Sequence, residues 1–145
     1  MRILNTLMVL ITINFTALGQ EWITDFDIAK EKSSETGNNI VLVFAGSDWC
    51  APCIKLEKEI WESEAFKDYS KENYVLLKAD FPRLKKNKLP KEQQKHNDAL
   101  AEKYNTLGYF PLVLLLNSNG KVLGKTGYKK TSPQSYIEVL KSFEG

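Results

Sequence analysis

The chain has 145 residues, 43% of them hydrophobic, with 20 basic residues against 18 acidic ones. That suffices for one domain with its own core and is too short for two. A formal charge of +2 gives no reason to expect nucleic acid or an anionic membrane as partner.

Arg2, the apolar run "ILNTLMVLITINFTAL" and the small residues Ala17 to Gly19 read as an export signal. Residues 1–19 are therefore assigned to a signal peptide, cleaved before Gln20, and residues 20–145 to the folded domain. The run falls slightly short of the roughly 20 apolar residues of a bilayer span, which leaves an uncleaved anchor or a stray core segment as the alternatives. Export places the protein in the periplasm or outside the cell, where disulfides persist.

Along the remaining chain, "TDFDIAKEKSSETGNN" predicts a helix opening near Thr24 and stopped by Gly37 and the Asn pair. The β-branched run Ile40 to Ala45 predicts a strand buried on both faces, and Tyr74 to Ala79 a second. Between them the period is helical from Cys50 to about Tyr69, with Ser63 as a possible internal cap. A further helix is expected from about Pro90 to Asn105, then a strand from Pro111 to Leu116. An "NSNG" turn leads into a last strand, "KVLGKT". Ser132 and Pro133 open a terminal helix with Tyr136, Ile137, Leu140 and Phe143 on one side. Strands alternating with helices predict parallel neighbours joined by crossovers, with the closing hairpin as an antiparallel edge.

Cys50 and Cys53 are the only cysteines. As a structural crosslink they would close a loop of four residues, worth about 2 kcal/mol where a long loop gives nearly 5. A zinc site needs four ligands, and His96 is the sole other soft candidate. Covalent haem needs His after the second Cys, where Ile54 stands. A reactive dithiol explains more. Cys50 begins a helix at the carboxyl end of a strand, where free N–H groups favour a thiolate. Lowering a thiol pKa from about 8.5 to about 7 takes roughly 2 kcal/mol, within reach of such a terminus. Pro52 is tolerated in the first turn, and Cys53 lies on the same helix face.

"WCAPC" after an apolar strand, with "YFPLVLLLNSNGKVLGKTGY" downstream, resembles the thioredoxin family over roughly Ile40 to Phe143. The resemblance implies an α/β thioredoxin fold, a central mixed β-sheet with helices on both faces and a C-terminal β-hairpin plus helix. It makes Cys50 the nucleophile and Cys53 the resolving thiol, with Cys50 accessible and Cys53 shielded. Trp49 becomes a flat apolar surface beside them and Pro111 the family's cis-proline. The backbone of Phe110 would pair with an extended substrate. Within the family the chain is most similar to the terminal thioredoxin domain of the bacterial transmembrane thiol:disulfide interchange protein. What this implies is an exported thiol–disulfide oxidoreductase that reduces protein disulfides. It would need no bound cofactor or metal, draw electrons from a dithiol donor, and act as a monomer. The competing reading is a peptide-binding or chaperone-like module with incidental redox activity.

Three departures stand out. Thioredoxins often bury an acid where this chain has Phe44. Phe110 is bulky for the residue before the cis-proline. The segment from Phe81 to about Asn97 is long and basic, either a solvated face or a docking surface for an acidic partner. Glu57 is the last candidate. At about 100° per residue it falls on the apolar face defined by Cys53, Leu56, Ile60 and Trp61. It either reaches the rim or pairs with Lys78 from the second strand, or it replaces the missing acid by exchanging a proton with Cys53.

Overall fold

The computed structural model describes residues 20–145, so the expected signal peptide lies outside the described residues. Strand β1 (Trp22–Ile23) is followed by helix α1 (Phe26–Thr36). Asp25, one residue past the expected start, caps that helix through Oδ1, which accepts from the N–H groups of Asp27 (2.8 Å) and Ile28 (3.1 Å). Gly37 ends it at φ 76°, a conformation that costs other residues a Cβ clash.

The buried runs then form strands as expected, β2 (Asn39–Ala45) and β3 (Tyr74–Asp80), paired in parallel from Asn39 opposite Tyr74 to Ala45 opposite Asp80. Between them lie α2 (Ala51–Leu56), a π-helical turn (Glu57–Trp61) and α3 (Glu64–Asn73). Ser63 is the cap of α3, its Oγ accepting the Phe66 N–H at 3.2 Å. Helix α4 (Lys91–Tyr104), strands β4 (Leu112–Leu116) and β5 (Val122–Thr126), and α5 (Pro133–Ser142) complete the chain. The sheet order is β1-β3-β2-β4-β5.

The expected direction of the third long strand is corrected. β4 runs antiparallel to β2, with Leu112 opposite Phe44 and Leu116 opposite Ile40. The chain leaves β3 at Asp80, beside Ala45, and re-enters the sheet beside Phe44, so the connection through α4 begins and ends at the carboxyl end of β2. Asn97 of α4 holds it there, donating from Nδ2 to the Asp80 carbonyl at 3.0 Å. Because the connection passes over β2 without travelling back along the strands, β4 must run antiparallel to it.

Side-chain alternation divides the core between the two faces of the sheet. Val41, Val43 and Ala45 face α2, α3 and α5, where Trp61 is the largest buried side chain. Its ring meets those of Phe66 (4.6 Å), Tyr136 (5.4 Å) and Trp22 (5.7 Å) edge-on or tilted. Such contacts add about 0.5–1.5 kcal/mol each beyond burial. Ile40, Leu42 and Phe44 face α1 and α4, packed with Ala29 and Leu100. Among the described residues no helix is long and apolar enough to cross a membrane.

Candidate active site

β2 delivers the chain to a tight turn at its carboxyl end. The Gly46 carbonyl accepts from the N–H groups of Trp49 (3.2 Å) and Cys50 (2.9 Å). Glycine at 46 makes room for Trp49, because a Cβ there would overlap the indole unless the ring moved. Trp49 Nε1 donates to the Phe81 carbonyl at 2.7 Å, tying the turn to the loop after β3.

Cys50 is the residue that caps α2. Its backbone is extended (φ −94°, ψ 104°), and its Sγ accepts the Cys53 N–H at 3.3 Å. The two cysteines form a disulfide, with Cα atoms 5.2 Å apart. Cys53 Sγ also accepts the Gly46 N–H at 3.5 Å. The expected contrast in exposure is absent in this oxidised state, since Cys50 is 5% and Cys53 6% exposed. What separates them is the donor at each sulfur. Cys50 faces a helix-start N–H, which stabilises negative charge on it, and Cys53 faces the strand-end turn.

The other residues expected from the sequence gather as follows. Trp49 and Phe110 meet edge-on at 5.4 Å, and Phe110 packs against the core cluster that holds both cysteines. The Phe110–Pro111 peptide bond is cis. Glu57 stands at the rim instead of inside the apolar face. It begins the π turn, whose Glu62 N–H reaches the Glu57 carbonyl at 2.9 Å, and its carboxylate turns to Lys78 Nζ at 2.8 Å. Both ends of this ion pair line a cavity of about 310 Å³ together with Cys53, Ala45 and Ser47. Phe44 points to the opposite face of the sheet, stacked on Phe81. Glu57 and position 44 therefore do not share a pocket.

Two features had no sequence expectation. Asp48 accepts from the N–H groups of Arg83 (2.9 Å) and Leu84 (3.0 Å) and from the Asn87 amide (3.0 Å). The Arg83 N–H leads these donors in holding its carboxyl below the usual carboxylate range, although partial desolvation opposes them. Arg83 itself lies over the Trp49 ring, 3.6 Å from its centroid. An acid next to Trp49 was the only available hint. His96 is occupied elsewhere, its Nε2 accepting the Phe26 N–H at 3.0 Å, and no metal-holding cluster of His, Cys, Asp or Glu occurs among the described residues.

A mixed five-stranded sheet sandwiched by helices, with a Cys-x-x-Cys disulfide at a strand-to-helix junction and a cis-proline opening the antiparallel strand, defines a thioredoxin fold with a redox site. Sequence comparison agrees. A family model described as Thioredoxin-like matches residues 21–118, and the chain belongs to that family. It is 34% identical over 114 residues to the disulfide bond reductase DsbH of Chlamydia pneumoniae, covering 79% of this chain and 67% of that protein. A solved structure of DsbH oxidoreductase matches with a TM-score of 0.80 at 30% identity, over 91% of this chain and 89% of the other. The C-terminal domain of Neisseria meningitidis DsbD in its reduced form shares the fold at 21% identity, with a TM-score of 0.53 over 79% of this chain and 89% of that one. The protein is a thiol–disulfide oxidoreductase whose redox-active disulfide is Cys50–Cys53.

Proposed function

We propose that the protein is an exported reductase of protein disulfides. The observation that carries this reading is the hydrogen bond from the Cys53 N–H to Cys50 Sγ at the start of α2, because a sulfur so placed is a stabilised thiolate once the pair is reduced. The likeness to a protein named a disulfide bond reductase supports the direction. Arg2 and the apolar run after it support export.

In the forward reaction the Cys50 thiolate attacks one sulfur of a substrate disulfide. A Cys50–substrate bond forms, the substrate S–S bond breaks, and the departing sulfur takes a proton. The thiol of Cys53 gives up its proton, for which Glu57 across the shared cavity is the acceptor in this reading. The Cys53 thiolate attacks Cys50 Sγ, the Cys50–substrate bond breaks, and the released second substrate sulfur takes up the proton held by Glu57. Two electrons and two protons have reached the substrate, one proton from Cys53 by way of Glu57 and the other from solvent, and the protein is left as the disulfide seen here. A dithiol donor restores it by the same exchange in reverse, so no bound cofactor takes part. Trp49, Phe110 and cis-Pro111 form the apolar wall along which an extended substrate segment lies, and the protein acts as a monomer.

Insulin-disulfide reduction, with Cys50→Ser as control, tests the reading. Turnover that vanishes in the variant supports it, and binding of peptides without turnover in the wild type would mark a chaperone-like module instead. The reduction potential fixes the direction: a value near about −270 mV belongs to a reductase and one near about −120 mV to an oxidant.

A further inference from the structure

Between β3 and the first turn of α4 the chain carries Arg83, Lys85, Lys86, Lys88 and Lys91 before its first acid, Glu92. All five cations are exposed. A basic run in a surface loop ordinarily sways free in solvent, but this one is held. Asp48 grips the N–H groups of Arg83 and Leu84 and the side chain of Asn87, and Trp49 grips the Phe81 carbonyl. Both anchors belong to the turn that presents Cys50. The basic loop is thereby fixed to the dithiol.

Beside Trp49 lies an open groove of about 570 Å³, lined by Trp49, Phe81, Pro82, Arg83, Gln94 and Phe110, with Arg83 its one cation and no carboxylate among its lining residues. The acids closest by are occupied, Asp48 by three N–H donors and Asp80 by the Ser47 N–H at 2.9 Å. Even with Asp48, Asp80 and Glu92 counted against them, the five cations leave an excess of two positive charges on this side of the molecule.

We propose that the groove and its basic rim select substrate segments that carry Asp or Glu beside the disulfide cysteine. This deepens the reading of the protein as a reductase of protein disulfides and rests on it. The extended segment lies on Trp49 and Phe110, and its carboxylates meet the loop. Arg83 presents a planar fork already aligned by stacking, suited to a carboxylate. The lysines raise the local concentration of acidic segments before contact.

The test uses two synthetic disulfide-bridged peptides of one sequence, with Glu or with Gln on either side of one cysteine. At low ionic strength the wild-type protein should reduce the Glu peptide with a kcat/KM about tenfold above that of the Gln peptide. The ratio should fall towards one at about 0.5 M salt, where screening acts within about 4 Å. In the Lys85→Glu, Lys86→Glu, Lys88→Glu variant the ratio should drop below one, and in Arg83→Gln it should shrink. Because the ratio is taken within each variant, any loss of folding or of thiol reactivity cancels. Equal rates for the two peptides in the wild type, or a preference unchanged by charge reversal, would overturn the docking surface. Failure to reduce either peptide would instead sink the reductase reading on which it stands.

Discussion

Glu57 Oε2 lies 2.8 Å from Lys78 Nζ, and the pair borders the cavity that Cys53 lines. Its side chains are 36% and 22% exposed, so the pair itself contributes about 1 kcal/mol or less to stability. Glu57→Gln should therefore leave the urea midpoint nearly unchanged. If Glu57 exchanges the Cys53 proton, the same variant should turn over at least about tenfold more slowly between about pH 6 and 8, since positioned acid–base groups give about 10²–10⁴-fold. Steady-state rates across that range decide the matter. Equal rates would leave Glu57 as a structural partner of Lys78.

The two sulfurs should behave differently once reduced, despite their equal burial. Cys50 should react first with a mild alkylating agent, faster as pH rises through about 7, because it alone accepts a helix-start N–H. Cys53→Ser should accumulate mixed disulfides with substrate proteins, visible on non-reducing gels. Preferential labelling of Cys53, read by mass spectrometry, would reverse the assigned roles.

Gly46→Ala tests the turn beneath Trp49. An added Cβ would overlap the indole, so the ring must move and surrender its hydrogen bond to Phe81. A cost of about 1–3 kcal/mol is expected, as for other overpacked sites. Chemical unfolding measures it, and insulin reduction should fall with it. A variant as stable and active as wild type would show that the ring is free to shift.

Tyr136 offers an alkaline probe. It is fully buried, and its hydroxyl donates to the Gly127 carbonyl at 2.9 Å. Burial pushes its pKa well above the ordinary value of 10.0. The folded state thus keeps a proton that the unfolded chain loses above pH 10, and stability is intact below that pH and falls above it, by up to about 1.4 kcal/mol per pH unit for this one group. Tyr136→Phe should cost about 1 kcal/mol at neutral pH through the orphaned carbonyl and lose stability less steeply above pH 10. Parallel slopes for the two proteins would refute the assignment.

Much of this architecture is legible before any coordinates. Asn39–Ala45 and Tyr74–Asp80 declare themselves as buried strands through short apolar runs, and Ser63 and Ser132 mark helix starts by residue type. Trp22–Ile23 is invisible because two residues carry no period. The direction of β4 is invisible for another reason: an apolar run specifies burial and register, not polarity relative to its neighbours. The dithiol is readable from its spacing. Glu57 is half-readable, since a wheel at 100° per residue does not foresee a π turn starting at that residue or a lysine arriving from β3. Asp48 could not be read, because its partners are main-chain N–H groups 35 and 36 residues away, and no side-chain pattern marks them.

The grip of Asp48 is largely indifferent to what it holds. Apart from Asn87, it binds peptide groups common to any non-proline residues at 83 and 84. Side chains at 84, 85, 86 and 88, none of which takes part in that grip, can therefore be exchanged without loosening the hold on the turn that carries Cys50. The loop behaves as a detachable faceplate on a fixed reaction centre. If the loop selects acidic segments as proposed, rewriting its charges should recruit new clients while the sulfur chemistry underneath is inherited unaltered.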